Sequence, residues 1–173
     1  QAQTVDPVFA AAGFEVRVLG EPPGVPARGG GVSFKNGDPD TLLVGGEAND
    51  PTGAIYEIAV VRDPVTNRIS GFSGSATKLA DAPNIDGGLT YGPTIENAVS
   101  PPGSVLFFTT YDDCRLGQIL PGGTSAARFI NLCDDLGVDD STGAVGFVPV
   151  GFPGAGQIKI TSYSDDSFWS GTV

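Results

Sequence analysis

Short apolar runs separated by turn-rich segments occupy the whole chain, and the same pattern occurs three times. Alternating apolar and polar positions, rich in β-branched and aromatic residues, predict four strands in each of the first two units and three in the last. The predicted strands are residues 31–35, 41–45, 54–62 and 68–72, then 88–92, 104–110, 115–121 and 126–132, then 144–148, 156–163 and 167–173. The long small-residue segment 73–86 is predicted to be a loop.

Aromatic residues mark the three units at nearly equal intervals. Phe34, Tyr91 and Phe147 are separated by 57 and 56 residues, which divides the chain into repeats at about 30–86, 87–142 and 143–173. A period of this length, with several strands in each unit, is typical of a β-propeller blade. The sequence therefore predicts a single all-β domain over residues 1–173, a partial β-propeller of about three four-stranded blades.

One further strand is predicted ahead of the first repeat. Residues 14–19 alternate apolar with charged side chains, whereas the third repeat lacks a fourth strand. We therefore expect the N-terminal strand to complete the third blade, either in its own chain or in a neighbouring copy. Propellers close with about 4 to 8 blades, and three blades form only an arc. Two alternatives stay open: a fragment of a longer propeller, and a sandwich that is not a propeller.

An unpaired sheet edge is a template for another strand, so self-association is the leading hypothesis. Such a head-to-tail contact closes into a ring or continues as a filament, depending on the rotation between copies. The residues predicted to form the contact are Phe14, Val16 and Val18 on the added strand, and Phe168, Trp169 and Val173 on the accepting edge.

Composition narrows the classes of function. Nine basic and twenty acidic residues give a net charge of −11, which disfavours binding to nucleic acid or to anionic lipid. No apolar run approaches the ~20 residues of a membrane span, so no membrane insertion is expected. The chain starts at Gln1 rather than Met, as a processed secretory product does, which predicts a secreted, extracellular or cell-surface protein. The chain has no His, which excludes an imidazole base or metal ligand and leads us to expect no enzyme.

The two cysteines flank the last hairpin of the second repeat. If Pro121 and Ala126 face each other across its turn, Cys114 and Cys133 stand directly opposite, at a distance that suits a cross-strand disulfide. The alternative is two buried free thiols. An even count and a secreted-looking start favour the disulfide, which indicates an oxidising compartment.

Paired aspartates border the two cysteines. A disulfide brings Asp112, Asp113, Asp134 and Asp135 to one end of one blade, and carboxylate oxygens in loops are the ligands that Ca²⁺ takes. Calcium is the one cofactor that the sequence suggests. The alternative is that these aspartates are solvated turn residues, since Asp is common in turns.

The N-terminal third resembles a known family of secreted propellers. The segments Gly13–Val18, Gly31–Phe34, Thr41–Val44 and Gly53–Ile58 resemble the opening of bacterial propellers of the glucose/sorbosone dehydrogenase type. The resemblance implies a six-bladed fold, in which active members bind a quinone with Ca²⁺ and use a His base. This chain has no His and about half the blades, so the resemblance favours the fold and not the activity.

Three classes of function follow. The first is an extracellular structural or surface protein that self-associates by strand addition, as a homo-oligomer or polymer. The second is a carbohydrate-binding or adhesive propeller module. The third is a non-catalytic fragment of a quinoprotein-type sugar dehydrogenase.

Overall fold

The computed structural model describes residues 4–92, 105–138, 142–164 and 166–172, which form an all-β chain. Within these residues there are eleven strands and two five-residue helices. The strands are β1 (Val32–Lys35), β2 (Asp38–Gly46), β3 (Ala54–Arg62), β4 (Ile69–Asp81), β5 (Ile85–Tyr91), β6 (Leu106–Thr110), β7 (Arg115–Ile119), β8 (Arg128–Asn131), β9 (Thr142–Phe147), β10 (Ile158–Ser162) and β11 (Phe168–Gly171). The helices are α1 (Pro7–Ala11) and α2 (Leu132–Leu136), and neither is long and apolar enough to cross a bilayer.

The strands form three separate antiparallel sheets. The first has the order β1-β2-β3-β4, the second β5-β6-β7-β8, and the third β11-β10-β9. Each sheet is thus built from consecutive strands of one repeat, although β5 and β9 begin slightly before the predicted boundaries. The all-β prediction is confirmed, and within the described residues no sheet closes on itself.

Local turn chemistry explains the hairpins of the first sheet. Lys35 lies opposite Asp38, so Asn36 and Gly37 form a two-residue turn in which Gly37 has a φ of 76°. At the β3–β4 turn, the Asp63 carboxylate accepts hydrogen bonds from the backbone N–H groups of Val65 and Thr66. Both turns use residues that favour chain reversal, Asn and Gly in the first turn and Asp in the second.

The prediction of a loop over residues 73–86 is wrong for most of its length. Strand β4 continues to Asp81, pairing with β3 so that Ala80 lies opposite Ile55 and Asp81 opposite Ala54. Three irregularities in this register accommodate the extra residues of β4. Small residues have low strand propensity, but pairing with β3 and burial of Ala80 override it here.

The predicted strand over residues 14–19 is also wrong. These residues lie outside all three sheets and belong to no helix or strand. The third sheet therefore has three strands in the described part of the chain and is not completed by its own N-terminal segment. Apolar alternation alone does not create a strand, because a strand also needs a hydrogen-bonding neighbour.

Two apolar clusters hold the three sheets together. The first joins the first and second sheets and includes Leu43, Ile55, Leu106 and Phe108. The second joins the second and third sheets, and its buried residues are Phe107, Cys114, Leu116, Leu132, Val138, Ile158 and Ile160. Because alternate residues of β6 point to opposite faces, Phe108 packs in one cluster and Phe107 in the other. The second sheet is consequently covered on both faces.

The first strands of the three sheets lie side by side, and glycines make this approach possible. A Cβ on Gly31 would lie 2.7 Å from the Gly87 carbonyl oxygen, and one on Gly87 would lie 2.6 Å from the Gly143 carbonyl oxygen. Either distance is too short for any other residue. Gly31, Gly87 and Gly143 recur every 56 residues. The length of the sequence repeat therefore equals the spacing of the glycines at the contacts between neighbouring sheets.

Asp50 joins three loops at one corner of the first sheet. Its carboxylate accepts hydrogen bonds from the Thr52 backbone N–H and hydroxyl, at 3.0 and 2.7 Å, and from the Arg28 guanidinium at 2.9 Å. Its carbonyl oxygen accepts from the backbone N–H groups of Gly53 and Asn84. The bonds from Thr52, and then the one from Arg28, lower the pKa of Asp50 from 3.8 to about 2.

We expect Asp50→Asn to reduce the acid sensitivity of the fold. A carboxylate whose folded pKa is depressed stabilises the fold fully above its unfolded pKa near 3.8 and loses that effect as pH falls through about 2. The wild type should therefore exceed Asp50→Asn in Tm at pH 5, and the difference should shrink between about pH 4 and pH 2. Thermal denaturation followed by circular dichroism measures this. Glu21→Gln, at an exposed carboxylate, is the control, and an equal pH slope for wild type and Asp50→Asn would contradict the assignment.

Candidate functional site

The third sheet ends in an edge strand, β11. Among the described residues β11 pairs only with β10, in a register that places Trp169 opposite Ile160 and Gly171 opposite Ile158. Trp169 is half-buried against the second apolar cluster, whereas Phe168 on the other face is 85% exposed. The edge thus offers backbone groups for pairing, with an aromatic side chain on each face.

The face of the third sheet that points away from the second sheet carries a small polar network. The Lys159 ammonium donates to the Ser170 hydroxyl oxygen at 2.6 Å and to the Gln157 side-chain oxygen at 3.2 Å. The Ser170 hydroxyl in turn donates to the same Gln157 oxygen at 3.1 Å. Of the residues described, none places a carboxylate within ion-pair distance of Lys159. The network therefore holds a positive charge with neutral partners.

An open groove lies beside this network, at the end of the sheet where β9 leads into the loop before β10. It has a volume of about 490 Å³, and its lining consists of Gly146, Phe147, Val148, Pro149, Phe152, Pro153 and Lys159. Phe152 is 65% exposed, so its ring is available at the groove surface. The groove combines apolar walls with one cation.

The predicted assembly residues of the N-terminal segment are exposed. Phe14 is 64% exposed, Val16 48% and Val18 71%, and residues 15–19 make no backbone hydrogen bond to the rest of the described chain. Phe14 contacts Phe9 of α1, with ring centroids 5.9 Å apart. The structure keeps these three residues apart from Phe168 and Trp169 of the same chain, and Val173 lies outside the described residues.

Two contacts place the segment beside the outer edge of the first sheet. The Glu15 carboxylate pairs with the Arg68 guanidinium at the start of β4, and the Pro23 carbonyl oxygen accepts from the Ala76 N–H at 2.7 Å. Hydrogen bonds from Thr66 are the main cause of the lowered pKa of Asp63, and the Arg17 charge adds to it. The segment therefore runs in the same direction as β4, tethered by a side chain at one end and by backbone at the other.

The predicted disulfide is confirmed, but its predicted register is not. Cys114 and Cys133 are bonded, with Cα atoms 5.8 Å apart. The β7–β8 register places Arg115 opposite Asn131, one residue away from the predicted pairing, and Cys133 lies in α2. The early end of β8 allows this, because the Asn131 side-chain oxygen accepts from the Asp134 N–H and starts the helix.

The four aspartates near the disulfide are used locally. Asp113 accepts from the Thr110 hydroxyl and faces Arg115, and Asp134 accepts from the Asn131 side-chain amide at 2.6 Å. Asp112 and Asp135 are exposed. In the ranges that the structure covers, no group of three or more His, Cys, Asp or Glu side chains is placed to hold a metal ion. The calcium site stays a prediction.

Sequence reasoning missed the Lys159 network and the groove. The strands predicted at 156–163 and 167–173 include Lys159 and Ser170, but their relative register is not visible without the turn geometry. The only sequence feature that points to this site is a single Lys after two Pro-containing segments, and such a feature does not identify a binding site.

No protein-family model matches the chain, and a search of curated proteins also finds no match. The resemblance to the glucose/sorbosone dehydrogenase type therefore stays a prediction. The residues present do not fit the quinone chemistry that it implies, because the chain has no His to act as the base.

We expect removal of the disulfide by Cys114→Ala together with Cys133→Ala to destabilise the fold by about 3 kcal/mol. The bond closes a loop with a sequence separation of 19, and it joins the residue before β7 to α2. Denaturant titration of the wild type and the double variant measures the loss. Reductant should lower the stability of the wild type and leave the variant unchanged, whereas equal stability of the two proteins would contradict the prediction.

Proposed function

We propose that this protein is an extracellular structural or surface protein that self-associates head to tail. Residues 14–19 of one copy add to the free edge of β11 in the next copy, as the fourth strand of its third sheet. The observation that carries the proposal is that the chain has both halves of such a contact: a strand-length exposed segment and an edge that lacks a neighbour in the described residues.

The finer description of the fold supports the same contact. We interpret the three sheets as three blades of a partial β-propeller, because their first strands lie together and their repeat glycines mark that contact. The first two blades have four strands each and the third has three. An added strand brings the third blade to the same number.

Side-chain alternation in the segment fits the edge. An added strand that places Val16 beside Trp169 covers the half-buried indole with Phe14, Val16 and Val18 on the apolar face. The charged residues Glu15 and Arg17 then share the outer face with Phe168 and Ser170. One exposed face of the strand is buried by the contact and the other stays in water.

Release of the segment from its own first sheet costs little. Residues 14–19 are held to the first sheet by the exposed Glu15–Arg68 ion pair and by the attraction between Arg17 and Asp63. Exposed ion pairs such as the first contribute about 0.2–1 kcal/mol. Gly20, with a φ of 81°, lies between this segment and the Pro23–Ala76 hydrogen bond. The segment is therefore able to swing about Gly20 while Pro23 stays in place.

The disulfide is compatible with an extracellular location, because disulfides persist in oxidising compartments. The contact joins two different surfaces, so it closes into a ring, of which two copies that exchange strands form the smallest, or continues as a filament.

We expect Val16→Asp with Val18→Asp to abolish association. Two carboxylates would then face the Trp169 side of the added strand, where their desolvation is unfavourable, and association should weaken at least about tenfold. Sedimentation velocity over a range of concentrations measures the distribution of species.

The matched control is Val150→Asp, at a valine in the loop between β9 and β10 that is 82% exposed. It adds the same kind of charge to a loop outside both the segment and β11, and this variant should associate as the wild type does. A wild type that stays monomeric at all concentrations would refute the proposed function.

Carbohydrate binding is the second candidate function, and the groove favours it. The exposed Phe152 ring suits the apolar face of a sugar, and Lys159 and Gln157 place polar atoms beside it. An aromatic surface with a few polar groups is typical of small-molecule sites.

For this candidate we expect Phe152→Ala to remove most binding to a glycan that the wild type binds on a glycan array. The ring supplies the stacking surface, so the loss should be about tenfold or more. Val150→Ala, at an exposed residue of the same loop, is the control and should bind normally. If the wild type binds no glycan on the array, the candidate is excluded.

A further inference from the structure

Of the nine basic residues of this acidic chain, Arg17, Arg128 and Lys159 form no ion pair with a carboxylate of the described residues. Arg28, Lys35, Arg62, Arg68, Lys78 and Arg115 each pair with a carboxylate. Lys159 has only Ser170 and Gln157 as partners among the described residues, in a protein whose net charge is −11. Its ammonium reaches from β10 to the Ser170 hydroxyl on β11, which is the strand beside which the next strand would lie.

We infer that Lys159 is the counter-ion of Glu15 in the neighbouring copy, and that this pair sets the register of strand addition. The inference rests on the proposed function. All neighbouring strands in the three sheets are antiparallel, so the added strand is taken as antiparallel to β11.

The apolar residues of the segment must lie on the same face of the sheet as Trp169. Three registers satisfy this condition, and they place Phe14, Val16 or Val18 opposite Trp169. With Val18 there, Arg17 lies opposite Ser170 and next to Lys159, where like charges repel. With Phe14 there, Arg17 falls opposite Asp166, which is outside β11, and Glu15 faces the Phe168 ring. The register with Val16 opposite Trp169 has neither fault.

In that register every residue of β11 has a partner of matching chemistry. The pairs are Phe14 with Gly171, Glu15 with Ser170, Val16 with Trp169, and Arg17 with Phe168. The Phe14 ring covers a glycine that has no side chain of its own, and the Arg17 guanidinium lies over an exposed aromatic ring. Two strand spacings are about 10 Å, which the long Lys159 and Glu15 side chains span by passing over the small Ser170.

A charge swap tests the pair in the full-length protein. We compare wild type, Glu15→Lys, Lys159→Glu and the double variant by sedimentation velocity at low and high salt. Each single variant should associate about fivefold more weakly or worse at low salt, and the double variant should return to near the wild-type affinity. Added salt should reduce the differences.

Arg68→Gln separates this role of Glu15 from its contact within the chain. Loss of the Glu15–Arg68 pair frees the segment, so Arg68→Gln should strengthen association or leave it unchanged. If weakening by Glu15→Lys came from the intramolecular pair instead, Arg68→Gln would weaken association to the same extent, which would overturn the inference.

Cross-linking gives a second measurement of the register. A mixture of Arg17→Cys and Phe168→Cys proteins should form a disulfide-linked dimer under oxidation, and a mixture of Val65→Cys and Phe168→Cys should not. If the wild type associates but shows neither the charge-swap effect nor this cross-link, the register is wrong and the proposal of self-association stands. A wild type that does not associate would overturn both.

Discussion

The backbones of neighbouring sheets approach each other closely at the repeat glycines, and the packing of all three sheets follows from this approach. At Gly31 and Gly87 the first strands of adjacent sheets lie nearly in contact, with no space for a Cβ atom, and the oxygen that Gly87 approaches belongs to Gly143. Only with the strands this close do the faces of the sheets meet to form the two apolar clusters. A larger residue at Gly31 or Gly87 would push two sheets apart and open the cluster between them, whereas Gly143 contributes its carbonyl oxygen to the contact.

This arrangement leaves the two end sheets with different surfaces. The first sheet has exposed Val32 and Phe34 on its outward face and an N-terminal segment beside its outer edge. The third sheet has a polar outward face around Lys159 and an edge without a neighbour in the described residues. Because the ends differ, a contact between copies joins unlike surfaces. This is the physical basis of the proposed head-to-tail association.

The sequence was most informative where local chemistry decides the structure. Strand β3 matches its prediction because β-branched residues alternate in it and turn residues bound it. Strand β4 was missed because its small residues become a strand only through pairing with β3. Helix α2 was missed because a single turn held by Asn131 and Gly137 has too short a pattern to detect.

In the candidate site, too, features set by local sequence were predictable and features set by the pairing of distant strands were not. The cysteine pairing was predictable from the hairpin, although the register was wrong by one residue because β8 ends early in a helix. The exposure of residues 14–18 was not predictable, because their alternation indicates a strand with one buried face. The Lys159 network was not predictable, because it depends on the alignment of β10 with β11, which a one-residue slip would reverse.

The disulfide has a mechanical consequence for a chain that is pulled from its two ends. The bond bridges a sequence separation of 19, so the β7–β8 hairpin cannot lengthen while the covalent link is intact. About 65 Å of contour length is thereby withheld from extension. Force instead passes through the bond from Cys114 to Cys133 and onward to the third sheet, so the residues between the two cysteines carry no tension.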